Sequence, residues 1–346
     1  MIGPAAKSLI TYRSSLITYL YLRRPMKTPL SYWLFRATSA IRWYLGASTR
    51  YDVHSPRLVE FINEVWRDDR HYHAFDLVRS VREYWRRKAG RVKLRSLGAP
   101  SKTTSKTERS VSSLVATNAI DDDCGRLLFR LAVWLRARHL IEFGTNAGIS
   151  TLYLHAADTR ATLHTVEGNP DVAALARETF DRAGVGPGLK PYVGLFNDWL
   201  FKHAKELRPS TTPTSRETNR PTDQQTNRPT NQRTNRPTDQ QSNRPQSPPP
   251  LDLFFLDGDH RHQPTLDYVS ALMPLRSESA VFVVADIHWS EGMERAWEEL
   301  KTWPEVTASV DTYHFGLLFF QPGMDGPHVS LVPTKWKPWR LGFFGR

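Results

Sequence analysis

The chain of 346 residues holds a single cysteine, Cys124. With no second thiol it can neither close an internal disulfide nor build a thiolate zinc site. A stapled secreted fold and zinc-finger chemistry are therefore excluded, and a reducing, cytoplasmic setting is the simplest expectation. Long apolar runs are also missing, because Arg13, Arg23, Arg24, Lys27, Arg36 and Arg42 break every candidate membrane span near the start. Acids are absent from residues 1–50, which carry eight Lys and Arg. Apolar residues are absent from 209–250, so that segment cannot bury a core of its own. Within it the unit TNRPTDQQ recurs from Thr218. Eight residues without an apolar group cannot stack into a solenoid, so the repeat is read as a flexible insert.

What is present supports a sizeable folded unit, since 40% of the residues are apolar. The formal net charge of +12 is concentrated: residues 1–50 have no acid, 209–250 carry six Arg against three acids, and the rest is nearly neutral. A basic run at 79–109, with eleven Lys and Arg and two Glu, reads as a solvated helical face or loop, the alternative being a patch for a polyanion. A tandem SLITY at 8–12 and 15–19 sits in basic, acid-free sequence that resembles a transit peptide or a surface-lying helix. Residues 1–50 are read as a basic N-terminal extension.

From 138 to 321, short β-branched or apolar runs alternate with helical patterns, an α/β signature. The spacing predicts strands at 139–143, 162–166, 191–195, 251–256, 280–285, 306–311 and 316–320. Asn169 can cap a helix with Pro170 at its first position, and Ser290 can cap another carrying Met293, Ala296, Trp297 and Leu300 on one face. The last two strands leave no room for a helix and should form an antiparallel hairpin. Residues 51–137 read as a helical cover, with 91–109 a polar loop. Residues 322–346 form a basic tail with Pro and Trp, to which no role is assigned.

The first strand of this unit ends in EFGTNAGIST, residues 142–151, and a helix follows. Gly144 and Gly148 suit a tight turn at which a ligand approaches backbone N–H groups near a helix N-terminus. Glu167 ends the next strand, where a carboxylate can accept hydrogen bonds from both hydroxyls of an adenosine ribose. Nicotinamide enzymes share that arrangement, but they favour a glycine where Asn146 stands, because a pyrophosphate needs closer approach.

These residues, with TVEGNP, LDLFFLDGDH and VVADIHWSEGMERAW, resemble the class I S-adenosylmethionine-dependent methyltransferases, nearest to the small-molecule O-methyltransferase branch. The resemblance spans about 51–321 with the insert set aside. It implies a Rossmann-like fold with a seven-stranded, mostly parallel sheet, an antiparallel terminal hairpin and an N-terminal helical cover. It also implies that Glu142, Gly144, Thr145, Asn146 and Gly148 surround the methionine part of S-adenosylmethionine, with Ser150 and Thr151 supporting the helix start. Glu167 would hold the ribose, Gly168 and Asn197 would lie near the adenine, and Asp257 would edge the transfer pocket.

A polar cluster, Asp257, Asp259, His260, His262, Asp286 and His288, should gather at the carboxyl ends of two strands. Metal-dependent O-methyltransferases resemble this with an Asp after the fourth strand and an Asp-Asn pair after the fifth, holding magnesium or another divalent ion. Here Asp257 and Asp286 match, Ile287 replaces the Asn, and His288 is the substitute ligand. Without a metal, His260 or His288 is the candidate general base beside Asp257. His164, inside a strand, is read as structural. The leading expectation is O-methylation of a small hydroxylated molecule. A non-catalytic scaffold, an RNA-directed methyltransferase and a nicotinamide oxidoreductase are the alternatives, nucleic acid being disfavoured because 257–260 reads DGDH and not an Asn/Asp-Pro-Pro-aromatic run.

Overall fold

The computed structural model describes residues 30–95, 108–203, 249–324, 326 and 328–337. The repeat units of the insert and the SLITY duplication lie outside these residues.

Eight strands form one mixed sheet in the order β10-β8-β9-β7-β6-β3-β4-β5. They are β3 (His139–Phe143), β4 (Thr162–Glu167), β5 (Leu189–Val193), β6 (Leu251–Leu256), β7 (Arg276–Ala285), β8 (Ala308–Asp311), β9 (Phe315–Phe319) and β10 (His328–Ser330). From β5 through β4, β3 and β6 to β7 every pairing is parallel, whereas β9 is antiparallel to both β7 and β8, as the missing crossover requires. All seven expected strands are present. The eighth, β10, comes from the tail given no role and pairs parallel with β8.

The alternation of side chains divides the core in two. Leu253 and Phe255 of β6, with Val281 and Val283 of β7, pack on one face; Phe254, Leu256, Phe282 and Val284 pack on the other. The first face is covered by α3 (His73–Arg87), α5 (Asp122–Leu135), α6 (Ile149–Ala157) and α7 (Pro170–Ala183). The second is covered by α8 (Phe196–His203), α9 (His262–Leu272) and α10 (Glu291–Lys301). Both expected caps form: Asn169 Oδ1 accepts from Asp171 N (3.0 Å), and Ser290 Oγ accepts from Met293 N (3.2 Å). The face of α10 carrying Met293, Ala296, Trp297 and Leu300 is buried as its period predicts.

Two local expectations are corrected. β5 begins at Leu189, two residues before the expected Pro191, because the buried Leu189 pairs opposite Leu163 and sets the register. The ends of the expected polar loop pair as a two-stranded ladder, β1 (Arg91–Lys93) with β2 (Glu108–Ser110), leading into α4 (Val111–Asn118). Within the basic run Arg79 pairs with Asp76, Arg82 with Asp122, Lys88 with Glu178 and Arg91 with Glu108.

The segment read as an N-terminal extension contributes α1 (Leu30–Gly46), and α2 (Pro56–Phe61) continues as a π-helical turn over Ile62–Trp66. Residues after α1 join the end of the chain: Ser48 bridges to Leu331, and Lys337 Nζ donates to the carbonyls of Leu45 (3.1 Å) and Ala47 (2.6 Å), closing the C-terminus of α1. Among the described residues no helix is long and apolar enough to cross a membrane.

Candidate active site

The connections from β3 to β4 and β5 run one way across the sheet, and those from β6 to β7 run the other. The order reverses between β3 and β6, and a crevice beyond their carboxyl ends is where ligands bind in open α/β sheets. Two segments meet there at backbone distance. Asp257 N donates to the Phe143 carbonyl (2.8 Å), and a Cβ built on Gly144 would lie 2.1 Å from the Asp257 carbonyl oxygen. Gly144 adopts φ +105° and Gly148 φ +80°, conformations that favour glycine.

Glu142 is fully buried beneath this turn. Its Oε2 accepts from Thr151 (2.5 Å) and Thr165 (2.6 Å), and Thr165 also meets Thr145 (2.5 Å). Burial pushes the Glu142 carboxyl up to about 7, although the hydroxyls of Ser150, Thr151 and Thr165 favour its charge. Its Oε1 makes no hydrogen bond among the described residues. At the end of β4, Glu167 accepts from the backbone N–H of Asn146 (2.9 Å) and of Asn169 (2.9 Å), so it ties the glycine turn to the next connection. Burial raises its pKa against those two bonds and the Gly168 N–H. Asn146, at φ +50°, donates to the Asn118 carbonyl at the end of α4 (3.0 Å), and its buried Oδ1 has no partner among the described residues.

Of the six polar residues expected at the ends of β6 and β7, three converge. One ligand atom each from Asp257, His260 and Asp286 lies within 4.8 Å of the others, and His260 Nε2 stands 3.8 Å from Asp257 Oδ1. Burial holds Asp257 well above the ordinary carboxylate range, and the charges of Asp286, Glu142 and Glu167, all of like sign, push it further. The backbone at Asp259 (φ +66°), His260 (φ +48°) and Asp286 (φ +56°) is left-handed. Such residues gather where side chains must be aimed at a ligand. The Asp286 turn is held by its own N–H on the His314 carbonyl (2.7 Å), and the Trp289 ring lies 5.9 Å from that of His260.

The other three point elsewhere. Asp259 is bound by Arg261 and accepts from the Tyr268 hydroxyl (2.9 Å), and His262 faces Glu299 (3.0 Å). His288, the expected third metal ligand and alternative base, has both ring nitrogens taken: Nδ1 by Glu294 (2.9 Å) and Nε2 by Asp311 (2.9 Å). Its ring stacks on Tyr313 at 5.1 Å. His260 therefore stands where His288 was expected beside Asp257 and Asp286. Ile287 is fully buried in the core, which explains why no ligand stands there. His164 packs against Trp199 (5.6 Å), away from the crevice. Asn197 is exposed on the first turn of α8, whereas its neighbour Phe196 stacks on Phe143 (4.6 Å) and a Cβ at Gly258 would press on its ring (2.7 Å). Sequence reasoning missed Phe196; an aromatic just after Gly194 and beside Asn197 was the available signal.

A glycine turn, an acidic strand end and a group of two carboxylates and an imidazole thus lie at the carboxyl edge of the sheet, around the reversal of its order. The family model described as a methyltransferase domain matches residues 141–287. A Mycolicibacterium vanbaalenii protein named "Putative O-methyltransferase" is 37% identical over 82 residues, 23% of this chain and 35% of the relative. The catechol O-methyltransferase of Mycobacterium tuberculosis is 35% identical over 83 residues, 24% of this chain and 38% of the relative. The chain thus spans little more than a third of the length of these relatives. The structure of an O-methyltransferase from Bacillus cereus aligns with 76% of this chain and 96% of its own at 14% identity and a TM-score of 0.44. Over residues 141–287 the chain is thus similar to the methyltransferase-domain family.

Proposed function

We propose that the protein is an S-adenosylmethionine-dependent O-methyltransferase acting on a small hydroxylated molecule. One observation carries the reading: the glycine turn after β3 and the Asp257–His260–Asp286 group after β6 and β7 meet at the carboxyl edge of the sheet where its order reverses, with Gly144 pressed against the Asp257 backbone. The residues present fit the cofactor. Glu142 Oε1 and Asn146 Oδ1 are buried without hydrogen-bond partners among the described residues, and the turn leaves no room for side chains at its glycines. The charges acting on Asp257 are all negative, so a cationic ligand would relieve them.

Bound S-adenosylmethionine supplies an electrophilic methyl group on a sulfonium. Gly144, Thr145, Asn146 and Gly148 would cradle its methionine part, with Glu142, Ser150 and Thr151 setting the shape of the turn. Glu167 would accept from the ribose hydroxyls, and Gly168, Asn197 and Phe196 would border the adenine. Methyl transfer is an in-line displacement, so holding the acceptor oxygen in line accounts for much of the rate. His260, whose ring lies beside Asp257 and Asp286, would take the acceptor's hydroxyl proton.

Titrating S-adenosylhomocysteine into the protein by calorimetry tests this. Binding is expected, and Glu167→Ala should weaken it by about tenfold to a hundredfold, the worth of one or two hydrogen bonds to a charged group. Absence of binding to the wild type would favour the scaffold reading. Methyl transfer from labelled S-adenosylmethionine to a panel of hydroxylated small molecules then addresses the acceptor.

A second reading is favoured by the convergence itself: two carboxylates and an imidazole within 4.8 Å can hold a divalent ion. That mixed donor set suits manganese, iron or zinc better than magnesium, which prefers all-oxygen ligation. The ion would then bind the acceptor oxygen and His260 would be a ligand, not a base. Manganese binding, followed by electron paramagnetic resonance, should weaken at least about tenfold in Asp286→Asn. It should tighten as pH rises, because Asp257 must shed a proton it holds unusually firmly. Equal manganese affinity in wild type and variant would return His260 to the role of base.

A further inference from the structure

The first helix presents an apolar stripe that the rest of the described chain leaves open. Leu30 (73% exposed), Leu34 (56%), Ile41 (58%) and Leu45 (69%) are among the most exposed large apolar residues of the protein. At 100° per residue they fall within about 60° of arc, along about 22 Å of helix. Trp33 lies at one margin of the stripe and is also exposed. The opposite side is fastened to the body. Ser39 and Trp43 are buried, Ser39 donates to Glu294 and Trp43 packs on Tyr313 (5.2 Å), while at the margin near Trp33 the Tyr44 hydroxyl donates to the Trp336 carbonyl (2.6 Å). The stripe therefore faces outward from a helix whose other side is fastened to the body.

We propose that this stripe docks α1 onto the surface of an anionic lipid bilayer, lying in its interface. Charge chooses the occupant. Neither α1 nor any other part of residues 1–50 contains an acid, and the segment carries eight Lys and Arg. Arg42 stands on the flank between the apolar stripe and the buried side and is largely exposed even though it approaches Glu294 (3.5 Å), whereas Arg36, beside Trp43, is half-buried with its guanidinium over the Tyr313 ring (6.0 Å). An apolar face with an exposed cation on its flank, an aromatic at its margin and an acid-free basic sequence around it suits the boundary between acyl chains and anionic headgroups. A second copy of the chain is the weaker occupant, because pairing two such stripes would bring two acid-free basic segments together, whereas an anionic surface neutralises them. Spanning is not what this helix does: its 17 residues include Arg36 and Arg42.

Flotation of the full chain with vesicles tests the proposal without any need for cofactor or acceptor. Retention is expected on an equimolar mixture of phosphatidylglycerol and phosphatidylcholine. It should be weak on phosphatidylcholine alone and fall with added salt. The double variant Leu34→Glu/Ile41→Glu should lose at least about tenfold in partitioning, since it places charge where two apolar side chains would be buried. Both positions are exposed, so its thermal midpoint and circular dichroism should match the wild type. Equal retention of variant and wild type would overturn the proposal, as would failure of the wild type to float with anionic vesicles. Dissociation of a wild-type dimer by the same substitutions, without vesicle binding, would assign the stripe to self-association instead.

Discussion

Replacing His288 with glutamine is expected to destabilise the protein by about 3 kcal/mol at neutral pH, the scale of breaking a buried ion pair by removing one partner. His288 is only 11% exposed and sits between Asp311 and Glu294, themselves 10% and 17% exposed. Burial alone would lower its pKa, but the hydrogen bonds and charges of Asp311 and Glu294 outweigh it and push the imidazole up to about 9. A group raised in the folded state contributes its full stability below its unfolded pKa, near 6.5, and loses it as pH climbs through about 9. The wild type should therefore lose on the order of 2–3 kcal/mol between about pH 7 and pH 10 through this group. In His288→Gln that part of the pH dependence disappears, while two buried carboxylates lose their cation. Urea unfolding of both proteins across that range checks the claim; parallel stability curves would refute it. Because Ser39 of α1 bonds to Glu294 and lies 3.2 Å from His288 Nδ1, amide exchange in α1 should also quicken in the variant.

The same histidine shows where reading the sequence reaches its limit. Periodicity located the strands because residues such as Phe254 and Phe255 alternate between two buried faces, and burial on both sides leaves an unbroken apolar run that few other structures produce. The caps at Asn169 and Ser290 were legible because a capping bond is local, two or three residues long. The direction of a side chain in a loop is not local. Asp257, Asp259, His260 and His262 lie within six residues, yet left-handed backbone at Asp259 and His260 turns one histidine toward Asp257 while Asp259 is drawn to Arg261 and Tyr268. The partners that claim His288 come from the next helix and from β8, 23 residues on, and no spacing rule links them. β10 was hidden for a different reason: three residues with a half-polar pattern at a sheet edge carry almost no periodic signal.

Gly144→Ala is expected to have the larger effect on the crevice, and it separates a glycine needed for space from one needed for conformation. The new Cβ would lie 2.1 Å from the Asp257 carbonyl oxygen and 2.7 Å from its carbon, both backbone atoms that no rotamer change can move. The φ of +105° adds strain for any side chain. Neither segment is free to retreat. Gly144 N is bonded to the Val166 carbonyl of β4 (2.9 Å), and Asp257 N to the Phe143 carbonyl of β3 (2.8 Å). Relief must come from parting the ends of β3 and β6, at a cost of about 3 kcal/mol or more. It would also shift the glycine turn and its Asn146 N–H tie to Glu167, so S-adenosylhomocysteine affinity should fall by at least about a hundredfold. Gly184→Ala, also at positive φ (+63°) but with nothing within 4 Å of the added Cβ, isolates conformational strain and should cost only about 1 kcal/mol. Gly186→Ala, with open space and no positive φ, should be neutral or slightly stabilising because it restricts the unfolded chain. Urea unfolding and calorimetry on the three variants give the ordering directly. A Gly144→Ala protein that unfolds and binds like the Gly186→Ala control would mean that the ends of β3 and β6 can part without consequence, and that the crevice is not built on their contact.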